Sequence, residues 1–118
     1  MKHLLSRVLA LVVTLSISMG SSANISGNEF QTLCTYEAAT FDAGMCMGYL
    51  QGVHEVYKSF ASLTETNRFY CLPDNVTYGQ AKQISLKYLE ENPEILHLLA
   101  AQSIVLALTK AFPCEDGQ

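Results

Sequence analysis

Apolar residues recur at three- and four-residue steps along most of this chain, and no alternating strand pattern persists. That periodicity predicts an all-α protein. A first helix begins at Ser26, where Ser26 and Glu29 have capping-box spacing, and Phe30, Leu33 and Cys34 carry an apolar face to about Glu37. A short link, Ala38 to Phe41, leads to Asp42, a good N-cap for a second helix from about Ala43 to Leu63. Its apolar stripe is Cys46, Tyr49, Leu50, Val53, Val56, Tyr57, Phe60 and Leu63, and Gln51, Glu55, Lys58 and Ser62 form the polar face. Gly44, Gly48 and Gly52 repeat every fourth residue in it. Each glycine costs a helix about 1 kcal/mol against alanine. Three on one stripe predict that another backbone approaches there, most simply from the same domain and otherwise from a second copy.

Thr64 to Asn75 breaks the periodicity and reads as an irregular connection, with room for a helical turn near Asn67 to Tyr70. A third helix starts with Thr77 as N-cap and Gln80 at the capping-box position, places Ala81, Ile84, Ser85, Tyr88 and Leu89 on one face, and stops before Pro93. Asn92 can cap a fourth helix with Pro93 at its first position and Glu94 in its first turn. Ile95, Leu98, Leu99, Ala101, Val105, Leu108 and Phe112 form its broad apolar stripe, widened by Leu96, Ile104 and Leu106. The expected architecture is a small disulfide-stapled bundle of four to five helices in one domain, residues 24–118.

The first 23 residues stand apart. Lys2, His3 and Arg7 precede an apolar run from Val8 to Met19, and Gly20, Ser21, Ser22 and Ala23 follow. This has the form of a cleavable secretory signal with the cut after Ala23. The apolar run is too short for the ~20 residues that span a bilayer. Cleavage leaves five basic against eleven acidic side chains. An acidic surface disfavours nucleic acid and anionic lipid and is compatible with a basic protein partner. No membrane contact is expected after cleavage, and the predicted location is the periplasm.

Export changes the reading of Cys34, Cys46, Cys71 and Cys114, since an oxidising compartment favours disulfides. Cys34 ends the first helix and Cys46 begins the second. Cys71 precedes the third helix and Cys114 follows the fourth, so both lie at the open end of a hairpin hinged at Glu90 to Glu94. The pairs expected from these positions are Cys34–Cys46 and Cys71–Cys114. The wide cysteine spacing does not suit zinc, no Cys-x-x-Cys or haem motif occurs, and the glycines sit within a helix rather than after a strand. No metal or cofactor is expected. His54, read as an ordinary surface histidine, and a bridged Cys46 do not make a nucleophile–base pair, so no enzyme is expected.

Four strings carry a resemblance: Cys46-Met47-Gly48-Tyr49-Leu50-Gln51-Gly52-Val53, Cys71-Leu72-Pro73-Asp74-Asn75-Val76-Thr77-Tyr78-Gly79-Gln80, Tyr88-Leu89-Glu90-Glu91-Asn92-Pro93-Glu94 and Ala107-Leu108-Thr109-Lys110-Ala111-Phe112-Pro113-Cys114. In order and spacing they resemble the Rap/Tai family of type VI secretion immunity proteins, over roughly Gly27 to Cys114. The resemblance implies a small periplasmic helical protein that binds and blocks a cysteine–histidine peptidoglycan amidase. It further implies a homodimer with a loop reaching into the toxin's active site. The toxin-choosing residues belong to no motif. Exposed loops are the expected contacts: the acidic hinge Glu90, Glu91, Asn92 and Glu94, or the connection containing Thr64, Glu65, Asn67 and Arg68. The alternative is a small periplasmic helical chaperone or binding module without a toxin partner, whose carboxylates would let acid loosen the bundle.

Overall fold

The computed structural model describes residues 24–64 and 68–115. Its four α-helices are α1 (Gly27–Thr35), α2 (Phe41–Thr64), α3 (Tyr78–Glu91) and α4 (Ala100–Ala111), with a 3-10 turn at Pro93–Ile95. The fold is all-α; a single antiparallel bridge joins Ser26 and Leu99. The expected signal segment, residues 1–23, lies outside the described residues.

Local chemistry sets two helix starts as the sequence predicts. The Ser26 hydroxyl accepts the Glu29 N–H at 3.3 Å, and the Glu29 carboxylate accepts the Ser26 N–H at 2.7 Å. Those bonds to Ser26 hold the Glu29 carboxyl below its ordinary range. Thr77 and Gln80 make the same reciprocal pair at the start of α3.

Two other starts are corrected. α2 begins at Phe41 rather than Ala43, because the Thr40 hydroxyl accepts the Ala43 N–H at 3.2 Å and its carbonyl accepts the Gly44 N–H at 3.1 Å. Thr40 is therefore the cap, and Asp42 falls in the first turn, where its charge suits the helix dipole. α1 ends at Thr35, two residues early, and the link to α2 passes through Ala39 in the left-handed region with φ 70°.

The continuous fourth helix expected from Pro93 is also interrupted. Only a 3-10 turn forms there, and the regular helix waits until Ala100. Between them, the Leu98 and Leu96 carbonyls accept the Gly27 and Asn28 N–H groups at 3.0 and 3.1 Å. The Ala100 N–H donates to the Ile25 carbonyl at 2.8 Å. The first N–H groups of α1 have no partner within their own helix, so the Leu96–Leu99 stretch serves them instead of continuing a helix. Gly27 suits this close crossing: a Cβ there would lie 3.1 Å from the Leu96 carbonyl oxygen and would push the two segments slightly apart.

The core joins Phe30, Leu50, Leu89, Ile104 and Leu108 across all four helices. α3 and α4 form the most extensively packed pair. Their buried positions include the small residues Ala81, Ser85, Ala100, Ser103 and Ala107, and the Ser85 hydroxyl donates to the Ala81 carbonyl at 2.9 Å. The disulfides are Cys34–Cys46 and Cys71–Cys114, with Cα–Cα distances of 5.1 and 4.9 Å. The first ties the end of α1 to the first turns of α2. The second closes the open end of the α3–α4 hairpin, where the Cys71 N–H also donates to the Phe112 carbonyl at 2.9 Å.

Candidate partner-binding surface

α2 carries two apolar faces. One holds Cys46, Leu50 and Ala61, all buried, with Val53 and Tyr57 packed against the core. The other looks outward. Phe41, Met45, Gly48, Gly52, Val56, Ser59 and Leu63 follow at three- and four-residue steps, are all exposed, and include no charge. Val56, Phe60 and Leu63, expected in the core stripe, are 70, 60 and 84% exposed. The reason is the side of the helix they occupy: Val56 and Leu63 belong to the outward face and Phe60 stands next to it, while Ala61 in the same stretch is buried on the inner side. Leu106, expected in the buried stripe of the fourth helix, is also exposed.

The outward face also corrects the simplest reading of the glycine stripe. Among the described residues, no atom from elsewhere lies within 4 Å of a Cβ built at Gly44, Gly48 or Gly52, and no described backbone fills the stripe.

Beyond α2 the chain returns along the helix. The expected helical turn is missing from its described part, Arg68 to Tyr70. The Tyr57 hydroxyl instead accepts the backbone N–H groups of both Phe69 and Tyr70. Tyr70 is 1% exposed, stacks on Tyr57 with ring centroids 4.4 Å apart, and meets His54 Nδ1 through its hydroxyl at 3.0 Å. Tyr78 of α3 stands edge-on to His54, and its hydroxyl donates to Glu55 at 2.9 Å. Burial lowers the His54 pKa and raises that of Tyr70; the hydrogen bond to Glu55 raises that of Tyr78. His54 is thus not the ordinary surface histidine expected. Its i, i+3 spacing to Tyr57 was visible, but Tyr70 reaches it only through tertiary folding.

The two groups of expected contact residues fall at opposite ends of the α3–α4 hairpin. At the hinge, Glu90, Glu91 and Glu94 are exposed, and Glu91 pairs with Lys87 at 3.8 Å. Asn92 is engaged with its own helix: Nδ2 donates to the Tyr88 carbonyl at 2.7 Å and its backbone N–H to Leu89. At the other end, Thr64 closes α2 with its hydroxyl on the Phe60 carbonyl at 2.7 Å, and Arg68 and Phe69 are exposed. Glu65 and Asn67 lie outside the described residues. The exposed Phe60 and Leu63 before Thr64 escape the sequence pattern because they share the apolar stripe of the helix, and Phe69 because it lies in the irregular connection.

A shallow depression along α1, lined by Ile25, Leu33 and Tyr36, has Glu29 and Asp42 at its edge, but Glu29 is committed to Ser26. Among the described residues no three His, Cys, Asp or Glu side chains converge as a metal site. Cys46 is bonded to Cys34 and His54 to Tyr70, so they form no thiol–imidazole pair. No helix among the described residues is long and apolar enough to cross a membrane.

Residues 26–114 match the family model of the Rap1a immunity proteins. Neither the comparison with curated proteins nor that with solved structures found a match.

Proposed function

Because the chain belongs to the Rap1a immunity protein family, we propose that it is a non-enzymatic periplasmic antidote. It binds a type VI secreted peptidoglycan amidase of the cysteine–histidine class and occludes its active site. The observation that carries the binding surface is the uncovered end of α2. Val56, Phe60 and Leu63, with Phe69 nearby in sequence and also exposed, give large apolar side chains on a helix bridged near its start to α1 by Cys34–Cys46. Aromatic anchors on a preorganised frame lower the ordering cost of association and concentrate binding energy. Thr64, Glu65, Asn67 and Arg68 follow directly on that end in sequence and are the polar residues proposed for the same contact. The acidic hinge Glu90, Glu91, Asn92 and Glu94 is the second candidate; it suits a basic cleft rim.

Export is supported by the basic, apolar and small-residue order of residues 1–23 and by the paired cysteines. The resemblance to Rap/Tai proteins also implies a homodimer. The middle of α2 supports one, since glycines and uncharged side chains on an exposed helix face let an identical helix approach under two-fold symmetry. In that arrangement the second copy covers Gly48 and Gly52, and the amidase takes the C-terminal end.

The test is inhibition. Purified residues 24–118 should stop a purified type VI peptidoglycan amidase, best taken from the neighbouring reading frame, near a one-to-one chain ratio. Cleavage of wall stem peptides unaffected by a large excess would sink this reading.

A further inference from the structure

The aromatic group beside the α2 connector has no part in the proposed occlusion, yet it contains a half-buried, titratable histidine on a hydrogen bond. We propose that His54 and Tyr70 form an acid-sensitive latch, which pins residues 68–72 onto α2 while the imidazole is neutral and releases them when it is protonated.

The closed contact suits a neutral ring that accepts from the phenol. Tyr70 is buried and its hydroxyl meets Nδ1 at 3.0 Å. With the ring proton on Nε2, Nδ1 accepts and the phenol donates. Protonation makes Nδ1 a donor as well, so the phenol must stop donating to the ring, accept from it instead and turn its own proton away, while the imidazolium gives up hydration at a half-buried position. Both changes weaken the closed form.

The groups facing His54 do not cancel this cost. From the connector comes Tyr70, from α3 comes Tyr78, and α2 itself supplies Glu55 and Lys58. Glu55 favours the charged ring, but its carboxylate accepts from Tyr78. Lys58 opposes the charge, and burial opposes it most. The closed form therefore titrates below the ordinary value of about 6.5, while the open form titrates near it. The latch is fully effective above that value and weakens as pH falls through it, by at most about tenfold per pH unit for one proton.

The remaining hold on the segment is the Tyr57 hydroxyl on the Phe69 and Tyr70 N–H groups, and the Cys71–Cys114 bridge. Release is thus local, bounded by the disulfide, and uncovers the buried Tyr70. The latch depends on the fold alone and stands whether or not an amidase is the partner.

The experiment is amide hydrogen exchange at Phe69, Tyr70 and Cys71 in residues 24–118 between pH 7.5 and 5.5, corrected for intrinsic exchange. Protection in the wild type should fall several-fold across this range. His54→Asn keeps an acceptor oxygen and cannot be protonated, so its protection should stay flat. A flat wild-type profile, or the same fall in His54→Asn, overturns the latch. Direct NMR titration of His54 gives a second reading without any substitution. A midpoint below 6.5 supports the latch, and one at or above 6.5 overturns it.

Discussion

Two stretches of this molecule are built from small residues, and they meet opposite fates. On the packed helices α3 and α4, Ala81, Ser85, Ala100, Ser103 and Ala107 are buried, and the hairpin is closed by Cys71–Cys114. On the outer face of α2, Gly44, Gly48 and Gly52 have no neighbour within 4 Å among the described residues. Small residues in a helix permit close approach without saying by what. The buried set is satisfied within the domain, whereas the α2 face combines costly glycines with exposed Phe41, Met45, Val56 and Leu63. A face that gives up helix propensity and leaves apolar surface in water is fitted for association. The comparison separates what holds the fold from what the fold presents.

The largest test of the contrast opens the covered region. Replacing Cys71 and Cys114 by alanine removes a cross-link spanning 43 residues, which in the chain-entropy picture costs about 4 kcal/mol. The Cys34–Cys46 pair, separated by 12 residues, should cost nearer to about 3 kcal/mol. Urea unfolding of the two double variants measures the difference.

Enlarging one small residue in each region comes next. Ala107→Leu overfills the core and should destabilise by about 1–3 kcal/mol. Gly48→Leu meets open space in a single chain, so chain stability should hold or rise by up to about 1 kcal/mol through helix propensity. Self-association, followed by sedimentation, should weaken strongly in that variant alone. Equal loss of stability at both positions would erase the contrast. The smallest effect is expected at Ala39, whose φ of 70° is unfavourable for a side chain. Ala39→Gly should change stability by less than about 1 kcal/mol, with relief of strain offset by a looser unfolded chain.

Much of this was legible in the sequence because it rests on local chemistry. The Ser26–Glu29 and Thr77–Gln80 capping boxes formed where their spacing placed them, and the cysteine pairing followed from helix ends. What failed depends on tertiary choices. Pro93 is a good helix opener, but the unpaired N–H groups of α1 drew Leu96 and Leu98 away from a helix. Phe60 and Leu63 lie on a side of α2 that periodicity cannot distinguish from the core, because the helix is apolar on both its inner and its outer face. His54 looked ordinary because Tyr70, sixteen residues on, supplies its environment. The candidate contact residues were placed in two separate groups, and nothing in their spacing ranked one above the other.

The central claim is that the uncovered end of α2 meets the amidase. It is tested most directly by titrating peptidoglycan amidase activity with two double variants in parallel, Phe60→Asp/Leu63→Asp and Glu90→Lys/Glu91→Lys, each confirmed to melt like the wild type. The account predicts that the α2 pair weakens inhibition at least a hundredfold, the more than about 2.7 kcal/mol expected when two apolar anchors are lost, and that the hinge pair leaves most of it intact. Full inhibition by the α2 pair, with inhibition lost in the hinge pair, would contradict it.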